Sequence, residues 1–226
     1  MQKETQETSF NEKINDFFQK RRTPVIISLV VVAAGFAGFL GFYLISNMLQ
    51  KSASSKIEEL NTRYEAIQAG ITADSSDDEL ITLIGDLETF GKKSGSYAGG
   101  KAYSLLANIY QKKHQFPEME AAWINSANKA RRTFLAPIAW FNAASAAEEQ
   151  GDFDRAIEHY TKSLSTPVKF PAGVQSQFSI GRLREELGDT DGAIEAYRAL
   201  ISGWSQDAVW ANLARSRIVA LEIQKQ

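Results

Sequence analysis

The chain has 226 residues, with 25 Lys and Arg against 27 Asp and Glu, and 44% of it is apolar. That is enough apolar matter for a folded domain with an additional element, and the net charge of −2 announces no polyanion partner such as nucleic acid. The absence of cysteine excludes disulfides, thiolate zinc sites, cysteine nucleophiles and a lipid-modified N-terminal cysteine.

The first segment, TSFNEKINDFFQKRR, opens on a capping-box pattern at Ser9 and Glu12 and sets Phe10, Ile14, Phe17 and Phe18 at helical spacing. It predicts an amphipathic cytoplasmic lead over 1–23, lying at a membrane surface, with a disordered tail carrying a few anchoring aromatics as the alternative. The uncharged run from Val25 to Ile45, VIISLVVVAAGFAGFLGFYLI, is long enough at about 1.5 Å per residue to cross a bilayer core of about 30 Å. It predicts a single transmembrane helix over 24–48, and it ends in the bulky FYLISNML rather than in the small-residue cleavage site of a secretory signal. Lys13, Lys20, Arg21 and Arg22 precede the run, while only Lys51 and Lys56 follow it as closely. This bias predicts a cytoplasmic N-terminus and places the remainder outside, in the periplasm of a Gram-negative-type bacterium. Gly35, Gly38 and Gly41 share one helix face, which suits either contact with another membrane helix or a plain anchor.

The rest of the chain, 49–226, is governed by an internal repeat. GDFDRAIEHY from Gly151 returns as GDTDGAIEAY from Gly188, at an offset of 37 residues. The same offset aligns Tyr103 with Trp140 and Gln177, Ala107 with Ala144 and Gly181, and His114 with Gly151 and Gly188. It also aligns Phe116 with Phe153 and Thr190, Met119 with Ala156 and Ala193, and Trp123 with Tyr160 and Tyr197. Such a period is the signature of a helical solenoid. Glycine suits the turn between antiparallel helices, and the small residue four after the large one lets the two helices approach.

The series Trp140, Ala144, Gly151, Phe153, Ala156, Tyr160, Leu164 and Pro167 resembles the tetratricopeptide repeat. The resemblance implies a tetratricopeptide-like solenoid with repeats at 97–132, 137–167 and 172–203, so that with the single membrane helix the fold is all-α. SKIEELNTRYEAIQAG and SDDELITLIGDLETFG, the latter with a stripe of Leu80, Ile84, Leu87 and Phe90, read as a degenerate repeat over 56–92. QDAVWANLARSRIVALEIQKQ reads as a capping helix over 207–224 that covers the repeat before it. With the anchor and the NEKINDFFQKRR lead, the architecture resembles the ancillary subunit family of the Sec translocon, which implies association with the export channel and nearby chaperones. The competing reading is a structural subunit of a larger membrane-bound machine, a secretion system or motor-associated ring, in which the repeats contact copies of themselves.

Asp152, Asp154, Glu158 and His159 crowd into ten residues, but Asp189 and Asp191 repeat the first two 37 residues on. Duplication is expected of helix caps and first-turn acids rather than of a catalytic pair. His159 and His114 have no second histidine or cysteine at ligand spacing and read as surface or turn residues. AGGK from Ala98 lacks phosphate-loop spacing, so Gly99 and Gly100 read as a break between helices. No catalytic, cofactor or metal site is expected. The KARR run ending at Arg132 reads as helix C-terminal charge, with a patch for anionic lipid or an acidic partner as the alternative.

The tetratricopeptide resemblance further implies a concave groove lined by the first helix of each repeat. By that rule it carries Ser104, Phe141 and Phe178, then Asn108, Ser145 and Arg182, then Lys112, Glu149 and Glu186, with Asn142 beside them. Phe141 and Phe178 would either grip an apolar side chain of a protein ligand or pack against the neighbouring repeat.

Overall fold

The computed structural model describes residues 22–69, 77–168, 170 and 172–225; the amphipathic lead with its capping box lies outside them. The chain divides into two compact units, one ending at Ser52 and the other running from Ala53. Among the described residues every regular element is helical: α1 (Arg22–Gln68), α2 (Asp77–Lys93), α3 (Ser96–Lys112), α4 (Phe116–Lys129), α5 (Leu135–Glu149), α6 (Phe153–Leu164), α7 (Gly173–Glu186), α8 (Thr190–Gly203) and α9 (Ala208–Gln224). No break separates an anchor ending at 48 from a helix starting at 56, because nothing between them stops α1.

In the first unit α1 is long and apolar enough to cross a membrane. Its best 18-residue window has a mean hydropathy of 2.5 and none of it is buried. Phe36, Phe39 and Phe42 stand exposed, and a Cβ added at Gly35, Gly38 or Gly41 would meet nothing.

In the second unit Ala53, Ile57, Leu60, Tyr64 and Ile67 of α1 keep helical spacing and join Leu83 and Leu87 of α2 in one core. Arg63 bridges Asp86 at 2.6 Å across this pair. Thereafter each helix packs on the next, and α3–α4, α5–α6 and α7–α8 form the three repeats. Their turns share one geometry: His114, Gly151 and Gly188 have φ of 54°, 73° and 75°. Glycine takes this left-handed conformation without Cβ strain, whereas His114 carries that strain itself. The second helices α6 and α8 are capped alike, Asp152 accepting from Arg155 N–H at 3.1 Å and Asp189 from Gly192 N–H at 2.9 Å, whereas α4 follows Gln115 with no side-chain cap.

Two expectations are corrected here. Gly99 and Gly100 do not break the chain but lie buried inside α3. A Cβ on Gly100 would come within 2.7 Å of the Ala130 methyl, so only glycine admits the end of α4. His159 is not on the solvated side: it is 4% exposed and faces Glu120 of the preceding repeat.

The last helix caps the array on one side only. Ala214 and Leu221 of α9 join the core formed with α7 and α8, but Val209, Leu213, Val219 and Ile223 remain exposed. A terminal helix usually turns a polar face outward.

Candidate binding surface

The first helices α3, α5 and α7 carry the expected groove positions, and the structure sorts them into three groups. Ser104 is buried, its hydroxyl 3.1 Å from the Gly100 carbonyl and 2.9 Å from Ser126 Oγ. It therefore belongs to the α3–α4 contact and not to an open groove, because α3 and α4 approach too closely to leave it accessible. Phe141 and Phe178 are half-buried. Phe141 lies 5.2 Å from the Tyr160 ring and 5.8 Å from Phe170, and Phe178 lies 5.2 Å from both Tyr197 and Trp210. Both phenylalanines thus pack within and between repeats while keeping one edge open. Asn108, Asn142 and Ser145 are half-buried with no side-chain hydrogen bond among the described residues, and Lys112, Glu149 and Glu186 are exposed.

Arg182 is committed to the scaffold. It pairs with Glu148, whose other oxygen accepts from the Tyr160 hydroxyl at 2.6 Å. The arrangement recurs one repeat on, where Glu185 accepts from the Tyr197 hydroxyl at 2.5 Å and pairs with Arg217 of α9. Each clamp joins the first helix of a repeat, its second helix and the first helix of the next element. At the first junction Gln111, Trp123 and Ser145 stand near the corresponding positions, and the Trp123 indole N–H is buried without a partner among the described residues. The 37-residue spacing of Glu148 to Glu185 and of Tyr160 to Tyr197 was the signal for this clamp. Only the folded neighbours show that they meet.

Burial, reinforced by the adjacent Glu148, pushes the Tyr160 hydroxyl well above the ordinary tyrosine range, and burial followed by Glu185 does the same to Tyr197. Burial raises the Glu185 carboxyl as well, but hydrogen bonds from Arg217 and Tyr197 outweigh it and hold the group below the usual carboxylate range. A folded-state pKa above the unfolded value gives stability that is full below the unfolded pKa and lost above it. Unfolding free energy is therefore expected to fall above about pH 10, and Tyr160→Phe with Tyr197→Phe should flatten that alkaline decline in urea titrations. The Glu185 contribution has the opposite sense and is lost as the pH falls through its depressed value.

A pocket of about 250 Å³ opens between α2, α3 and α4, lined by Glu88, Lys92, Tyr103, Tyr110, Glu118 and Asn125 among others. It involves α2 and α4 as well as α3, so the groove rule could not find it. Among the described residues no group of three or more His, Asp or Glu is placed to hold a metal ion.

Helical pairs in a regular stack, with the turn glycines and small contact residues at fixed register, define an α-solenoid of the tetratricopeptide type. Residues 137–166 and 175–204 each match the tetratricopeptide repeat. The chain is 24% identical to a TPR repeat-containing protein of Treponema pallidum (strain Nichols), over 93% of this chain and 94% of that protein. It is also similar to a crystal structure of nearly identical TPR-like repeats from Podosopora anserina, at 12% identity and a TM-score of 0.50, covering 73% of this chain and 85% of that one. A second such structure from the same organism gives a TM-score of 0.46 at 13% identity, covering 75% and 98%. Tetratricopeptide repeats make the chain a protein–protein interaction scaffold.

Proposed function

We propose that this is a single-pass membrane scaffold of the bacterial inner membrane, with a cytoplasmic N-terminus and a periplasmic repeat domain that binds protein partners in export or envelope assembly at the translocon. One observation carries the reading: a helix with an unburied apolar window of hydropathy 2.5 and a tetratricopeptide solenoid occur in the same chain. The Lys and Arg excess before the apolar run supports the orientation. The alignment to the Treponema protein is long enough to take in the apolar segment together with the repeats. Export-channel subunits, chaperones or assembly factors are the partners that this architecture fits, with no nucleic acid among them. Asn108, Asn142, Phe141 and Phe178 form the contact surface, and Gly35, Gly38 and Gly41 the lateral face within the bilayer.

Photo-crosslinking from positions 108 and 142 in native membranes, read by mass spectrometry, tests this. Adducts with export-channel or chaperone proteins are expected, and Phe141→Ala with Phe178→Ala should abolish them while helicity is kept. Adducts only with copies of this chain would instead favour the second reading, a self-assembling subunit of a larger machine. The exposed Val209, Leu213, Val219 and Ile223 on α9 are the specific support for that alternative.

A further inference from the structure

The stretches 89–117 and 121–147 contain no Asp or Glu, and the fold brings a turn from each to the same edge of the repeat unit. Lys129 Nζ donates to the carbonyls of Lys92 at 2.8 Å and Ser94 at 3.1 Å, which ties the end of α4 to the end of α2. The Tyr97 and Phe134 rings meet beside them at 5.5 Å and are 41% and 59% exposed. Lys93, Arg131 and Arg132 stand exposed around the two rings and Lys101 is half-exposed. Among the described residues none of these four cations has a carboxylate within ion-pair distance, and Lys92 reaches only Glu88, at 3.4 Å.

The covalent path of the chain favours one occupant for this edge. The repeat unit begins at Ala53, which joins Leu83 and Leu87 of α2 in one core, and Arg63 bridges Asp86 across the same pair of helices. Residues 46–52 join the apolar run to Ala53, and seven residues reach no further than about 25 Å. We propose that the Lys93, Lys101, Arg131 and Arg132 edge, with Tyr97 and Phe134, rests on the anionic phospholipid headgroups of the membrane that holds α1. Basic side chains near a surface gain from anionic lipid, and a tyrosine ring, apolar with a polar hydroxyl, favours the headgroup level. The proposal rests on the anchored reading above. It adds a lipid contact at this edge to the anchorage by α1.

The test uses the full chain in nanodiscs of phosphatidylcholine alone and of phosphatidylcholine mixed with phosphatidylglycerol, followed by amide hydrogen exchange. Peptides covering 92–101 and 129–135 are expected to exchange at least about fivefold more slowly in the anionic discs. Raised salt should remove the difference, as should Arg131→Glu with Arg132→Glu, while peptides from α8 stay unchanged. Equal exchange in both lipids, with the chain still co-floating with the discs, overturns this proposal and leaves the anchor standing. A chain that does not co-float overturns both. Photo-crosslinking from position 134 in cells that yields a protein adduct and no lipid adduct overturns it in favour of an acidic protein partner.

Discussion

Glu120→Ala is expected to destabilise the protein by about 3–5 kcal/mol, the usual cost of removing one partner from a buried ionic cluster. Glu120 is 6% exposed on α4. Its Oε1 lies 2.9 Å from His159 Nε2 and 2.9 Å from Arg155 Nε, and its Oε2 accepts from Gln150 Nε2 at 2.7 Å. The Trp140 ring lies against His159 at 5.4 Å between centroids, and Lys162 stands 4.7 Å from the Trp140 ring. Truncation would leave the buried His159 imidazole, the Arg155 guanidinium and the Gln150 amide without this acceptor. Glu120→Gln keeps acceptor and volume, so its loss should be much smaller. Urea denaturation at neutral pH measures both, and a loss below about 1 kcal/mol for Glu120→Ala would show that water replaces the carboxylate at little cost.

Tyr197→Ala should cost a similar amount, about 3–5 kcal/mol, because a fully buried aromatic side chain is deleted between α7, α8 and α9. The ring fills the space left by Gly181, where an added Cβ would come within 2.6 Å of it. Tyr197→Phe separates the two parts of the role. It keeps the ring and removes only the bond to Glu185, which Arg217 continues to hold, so a loss of about 0.5–1.5 kcal/mol is expected. Equal losses for the two variants would mean that the clamp, rather than packing, holds this junction.

Much of the architecture was legible in particular residues. The return of Gly151, Ala156 and Tyr160 at Gly188, Ala193 and Tyr197 marked the repeats, since a turn and a close helix contact each demand the same residue type every time they recur. Asp152 and Asp189 were recognisable as caps for the same reason. The sequence does not reveal the burial of His159, because burial of a polar side chain depends on a partner 39 residues earlier, and the second copy has Ala196 at that position. Phe141, Phe178 and Arg182 are legible as first-helix positions, but their neighbours Tyr160, Trp210 and Glu148 come from other helices.

The sequence by itself determined the apolar run, the helical period, the turns and the number of clear repeats, because these follow from local backbone preference and hydrophobic spacing. Only the tertiary structure decided which polar groups are buried in pairs, that the expected groove lacks Ser104 and spends Arg182 on Glu148, and that the acid-free stretches form one cationic edge. Those properties arise where separate helices meet, and a period along the chain does not specify the distances across it.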